Sequence, residues 1–199
     1  MQEDLDIYKE NLIKIKYRIK LIDDFTLLNN NIPADIFVEN TYLQFRKILE
    51  LIILSSLLAN KVEYIKQYNK IKEVWDIKNR IKYLEKINRS FYPKPSIQKI
   101  TFKKPDKRNI EIVDLKKDFL TLDNLYTLLD TCNSLLHVEN PFLKPLDYGK
   151  LLNDIPAWRE KIIKLLNHHT INLNNGHIIV GMMEASTDGK PYAFNFVQI

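Results

Sequence analysis

The sequence predicts a mainly α-helical bundle closed by a small antiparallel β-sheet, an α+β arrangement. Three observations carry this. Apolar residues recur at spacings of three and four through most of the chain, which is the period of a helix with one buried face. Only 4 glycines are present in 199 residues, too few for a glycine-punctuated sandwich. Past residue 168 the period changes to two, and Asn175-Gly176 and Asp188-Gly189 are dipeptides that favour hairpin turns.

The elements follow in order. Leu5, Tyr8, Leu12, Ile15, Ile19 and Ile22 form one stripe on a first helix from about Glu3 to Leu28. The stripe suits a bundle core or a seam for a partner. Pro33 is placed to begin a second helix, about Ala34 to Asn60. Its second half is apolar nearly all round, so it should be the central element. A third helical region is expected over Lys61–Arg89, ended by Pro93 and Pro95. Residues 97–115, with Ile100-Thr101 and Ile110-Glu111-Ile112, read as an extended excursion or short hairpin. Thr121 is suited to cap a helix that buries Leu125, Leu128, Leu129, Cys132 and Leu136 and ends near His137. A last helix is expected from about Asp154 to Asn167, then strands near His169–Asn174, His177–Ala185 and Pro191–Gln198. The expected organisation is a bundle over 1–168, with the excursion at about 93–118, and a three-stranded β appendage over 169–199.

Charge and cysteine content narrow the functional classes. The net charge is +5, but residues 61–108 carry +10 and the remainder −5. Such a split suits either an anionic partner or a solvated lysine-rich face. A single cysteine, Cys132, excludes an intrachain disulfide and a cysteine-built zinc site. Its apolar neighbourhood reads as core. The acidic start lacks a signal-peptide core, and the longest apolar run, Leu49–Ala59, is well short of the roughly 20 residues a membrane span needs. The expected location is the cytoplasm, without a membrane or cofactor.

Possible chemistry concentrates at Cys132–Phe142. His137 there is the candidate acid–base group, since imidazole titrates near neutrality. It serves equally as a helix C-terminal residue stabilised by the helix dipole. Arg46 on the second helix is the candidate phosphate ligand and, four residues from Glu50, also a natural ion-pair partner. His168, His169 and His177 are three imidazoles near one junction, yet adjacent strand residues point to opposite faces, so no metal site is expected. Lys78, Arg80, Lys82, Arg89 and Lys94, interleaved with Tyr64, Tyr68, Trp75, Tyr83, Phe91, Tyr92 and Phe102, are the candidate RNA-binding set, because lysines track phosphates and aromatics stack on bases. The aromatics' helical spacing fits a core role too.

Three segments together resemble a group of uncharacterised bacterial proteins with a HEPN-like helical core: Leu43–Ile52, Ile87–Pro95 and Leu135–Phe142. The similarity covers roughly residues 33–142. It implies a helical bundle, often dimeric, in antiviral defence or toxin–antitoxin modules where many members cleave RNA. Active members carry an arginine four to six positions before the histidine, whereas Asp130–Leu136 contains none. Asn133 and His137 match the polar and histidine positions loosely, so the resemblance implies the fold more than the activity. The expected function is an RNA-directed component, a ribonuclease or RNA-binding protein, with His137, Asn133 and Arg46 as site residues. The alternative is a non-enzymatic adaptor that offers a sheet edge and its first helix to a protein partner or a second copy.

Overall fold

A computed structural model describes residues 2–28, 32–68, 76–104, 107–136 and 145–197. The helices are α1 (Gln2–Leu28), α2 (Ala34–Ala59), α3 (Lys61–Tyr68), α4 (Ile77–Ile87), α5 (Leu122–Leu135) and α6 (Tyr148–Leu166). The strands are β1 (Lys94–Lys104), β2 (Lys107–Asp114), β3 (His169–Asn172), β4 (His177–Met182) and β5 (Tyr192–Val197). Mainly helical α+β is therefore the architecture.

The centre is α2. Phe37, Val38, Tyr42, Phe45, Ile48, Leu49, Ile52 and Ile53 are all buried on it, so it meets α1, α4, α5 and α6 on different sides. The all-round apolar half of the helix requires such surroundings. The α1 stripe is consumed internally: Ile15, Ile19 and Ile22 enter the main core, while Tyr8 and Leu12 form a second cluster with Ile171 and Ile179 of the sheet. Helix starts follow their capping chemistry. Thr121 Oγ1 accepts from Asn124 N–H at 3.1 Å, Asp76 from Asn79 N–H at 2.9 Å and Asp147 from Lys150 N–H at 2.9 Å, each satisfying an orphan donor of the first turn.

Several expectations are revised. The region 61–89 is two helices, not one; Asp76 starts α4, and 69–75, with Trp75, lie outside the described residues. The last helix begins at Tyr148, ahead of the expected Asp154, because Asp147 caps it and Pro156 is accommodated within it. The excursion is a true antiparallel hairpin, and it joins the C-terminal strands. The sheet has five strands in the order β2-β1-β3-β4-β5, with β1 paired to β3 through Lys94–Thr170 and Pro95–His169. Period-two reading of 169–199 could not reveal the partner that comes from before α5.

Asn88 ties these parts together. Its side-chain amide donates to Asn60 Oδ1 at 2.9 Å and to the Asn172 carbonyl at 2.7 Å, and its Oδ1 accepts from Ser90 N–H at 2.8 Å. One buried amide thus joins the ends of α2 and α4 to β3.

Candidate functional site

Of the proposed catalytic trio, the structure describes two. Arg46 Nε lies 3.3 Å from Glu50 Oε1, and Lys47 Nζ lies 3.3 Å from Glu50 Oε2. The pair forms as the spacing predicts, but it is half-exposed rather than buried. Arg46 also stands against α5 at Cys132: burial pushes that thiol up to about 12, and the Arg46 charge opposes the shift. Asn133, half-buried, follows Cys132. Arg46 therefore stands at the α2–α5 seam beside Cys132, Asn133 is the next residue along α5, and His137 lies outside the described residues. Cys132 is a core thiol, held protonated by its surroundings.

The basic set divides. Lys78 is 2.5 Å from Asp130, tying α4 to α5, and Arg80 is half-buried with a partner. Lys82, Arg89 and Lys94 are exposed. Tyr64 and Phe91 are buried core, and Tyr92 donates its hydroxyl to the Leu120 carbonyl at 2.9 Å. Tyr83 keeps a cation above its ring, Lys86 Nζ at 5.8 Å.

The three histidines go to three different partners. His168 lies 2.8 Å from Ser96 Oγ through Nδ1 and 3.1 Å from Gln98 Nε2 through Nε2. The Gln98 amide can only donate, so Nδ1 carries the proton and Ser96 accepts, the reverse of an activated serine. Burial lowers the His168 pKa. His169 is fully buried, bonded to Tyr8 Oη at 2.7 Å and to the Leu166 carbonyl at 3.0 Å. His177 pairs with Asn195. Among the described residues no group of three His, Cys, Asp or Glu side chains is placed to hold a metal, and no helix is long and apolar enough to cross a membrane.

Two features remain: one was expected as a terminal strand at the sheet edge, and the other was missed in the sequence. The first is the outer strand β5, Tyr192-Ala193-Phe194-Asn195-Phe196-Val197. Its pairing to β4 sets Tyr192, Phe194 and Phe196 opposite Met182, Val180 and Ile178, while Ala193 turns to the Tyr8–Ile171 cluster. Tyr192 and Phe194 stack at 5.9 Å, and Phe196 follows at 6.2 Å. Phe194, Phe196 and Val197 are 41%, 52% and 63% exposed. The alternation Tyr-x-Phe-x-Phe was the available signal. The second is a cleft of about 140 Å³ where the start of α1, the α2–α3 joint and the β3–β4 turn meet. Its floor is Leu5, Leu58, Leu173 and Ile179, and its rim includes Asn174, Asn175 and His177. Only the turn dipeptide marked that place in the sequence. Comparison with protein-family models, curated proteins and solved structures finds no match to this chain.

Proposed function

We propose that this chain is a protein-interaction subunit that binds an extended, uncharged segment of a partner protein along β5. The observation that carries the reading is an outer strand with no charged residue and no proline of its own, bearing exposed Phe194, Phe196 and Val197, while Lys9 Nζ lies 5.4 Å over the Tyr192 ring at its start. Natural sheet edges are normally guarded by lysine, proline or a covering element, and contiguous exposed aromatics mark contact surfaces. An added strand would take its main-chain hydrogen bonds from β5, and apolar side chains at alternate positions would cover the aromatic ladder. The uncharged Phe194 and Phe196, with half-buried Ile178 beside Phe196, favour an uncharged segment over a phosphate backbone. The setting that the helical resemblance implies is a defence or toxin–antitoxin complex.

The test is recovery of the native complex with wild-type chain and with Phe194→Asp/Phe196→Asp. The variant should weaken partner binding by about 100-fold, as for loss of a central aromatic anchor, with an unchanged melting temperature. Equal recovery of the same partner would remove this reading. A concentration-dependent dimer that the variant abolishes would identify a second copy as the occupant.

A specific feature also favours the RNA-directed reading: Lys82 and Lys86 are exposed one turn apart on α4, and Arg89 is exposed two residues past its end. These cations suit a phosphate backbone. Under that reading, replacing the three cations with glutamine lowers RNA affinity and its salt dependence. Loss of RNA cleavage in His137→Ala and Arg46→Ala would extend it to a ribonuclease.

A further inference from the structure

We infer that the cleft between α1, the α2–α3 joint and the β3–β4 turn binds an uncharged single-ring nitrogen heterocycle of the pyrimidine-base class. Size decides between one ring and more. The cleft volume of about 140 Å³ matches the ~150 Å³ of an engineered apolar cavity that holds benzene. It falls well below the ~300 Å³ at which sites for larger ligands begin.

Charge decides against phosphate and carboxylate. Lys61 Nζ is 2.7 Å from Asp4 Oδ1, and the carboxyl of Asp4 is held below its ordinary range chiefly by that lysine. Glu63, also on the rim, is paired with Lys66 at 2.8 Å. The rim therefore presents two carboxylates and one lysine already matched. Each carboxylate is matched by a lysine, so the rim offers a phosphate or carboxylate no uncommitted lysine.

Hydrogen bonding decides between a plain ring and a heterocycle. Asn174 Nδ2 donates to the Ile87 carbonyl at 2.6 Å, which fixes its amide and leaves Oδ1 as an acceptor. Asn175 Oδ1 accepts from His177 N–H at 3.2 Å, which leaves Nδ2 as a donor. The Asn195 amide lies 3.0 Å from His177 Nδ1, leaving Nε2 as that ring's remaining polar atom. A ring edge carrying an N–H beside a C=O answers an acceptor and a donor together. A hydrocarbon ring would cover these groups without satisfying them. The apolar lining of Leu5, Leu58, Leu173 and Ile179 takes the ring faces.

The site is separate from the β5 contact, and its test is independent of that reading. The ligand chemistry is shared by a free pyrimidine nucleoside and by a base presented from single-stranded RNA. The experiment titrates the full chain with uridine, adenosine, phenol and a five-residue oligouridylate. Calorimetry reports binding, and the His177 imidazole resonances report location. Uridine should give a saturable shift at His177, with adenosine and phenol at least about tenfold weaker. Asn174→Ala and His177→Ala should each weaken uridine by about tenfold, the loss of one hydrogen bond. Leu173→Phe and, separately, Leu58→Phe should fill the floor and abolish binding, and melting temperatures verify that each variant is folded. Oligouridylate binding more tightly than uridine identifies RNA as the source, and equal affinity identifies the nucleoside. Absence of a saturable response to both, or phenol binding as tightly as uridine and indifferent to Asn174→Ala, overturns the assignment.

Discussion

His169 is held between two partners in the second cluster, with Nδ1 donating to the Leu166 carbonyl and Nε2 accepting from Tyr8 Oη. This arrangement uses the neutral ring, and burial lowers its pKa from 6.5 to about 4. Between those values the unfolded chain binds the proton and the folded chain does not. Stability therefore rises with pH across this window and is lost as pH falls from about 6.5 through 4. One group with such a shift accounts for about 3 kcal/mol. Urea midpoints measured from pH 7 to pH 4 should show the decline, and His169→Gln should flatten it. Across the sheet, Gly181 faces the same ring: a Cβ there would meet His169 Cε1 and Nε2, with Tyr8 Cε1 at 3.2 Å. Gly181→Ala should cost about 2–3 kcal/mol in a denaturant titration through overpacking. His169→Ala in the same chain should recover part of that loss, because it removes the ring in the way.

At the scale of elements, capping decides where helices begin more sharply than apolar periodicity does. Thr121 satisfies the Asn124 N–H at the start of α5, and Leu125, Leu128, Leu129 and Cys132 are buried behind it. Thr121→Ala should lower stability by about 1 kcal/mol, read as a shifted urea midpoint at unchanged slope. The same logic moves the start of α6 to Asp147, which was legible as an Asp before a helical run but lay ahead of Pro156. Pro156 delayed the reading because a proline in a helix interior normally breaks it.

For the molecule as a whole, α1 and α2 both contribute to the two apolar clusters, and Met183 carries the chain after β4 into the main core. The bundle and the sheet are thereby coupled. A chain ending at His168 would expose Tyr8 and Leu12, lose Ile171 and Ile179, and leave Asn88 without the Asn172 carbonyl. Each large apolar side chain contributes roughly 1.5–3 kcal/mol, and domains are stable by only about 5–15 kcal/mol in total. The shortened chain should therefore lose its cooperative thermal transition by near-ultraviolet circular dichroism. The full chain should melt in one step with the same midpoint in the near and far ultraviolet.

Local physics made much of this fold readable. The 3.6-residue stripes predicted α1 and α2, Thr121 predicted the start of α5, and the two glycine turns predicted three terminal strands. Those signals act between residues close in the chain, so the sequence by itself determined the mainly helical class, α1, α2, the start of α5, the terminal hairpins and the central place of α2. What tertiary structure alone decided depends on pairs far apart: β1 joining β3, Asn88 bridging Asn60 and Asn172, Tyr8 meeting His169, and the cleft that α1 closes against the β3–β4 turn. Sequence pattern records which face of an element is apolar and not which other element will cover it. That choice is made by the packing of the whole chain.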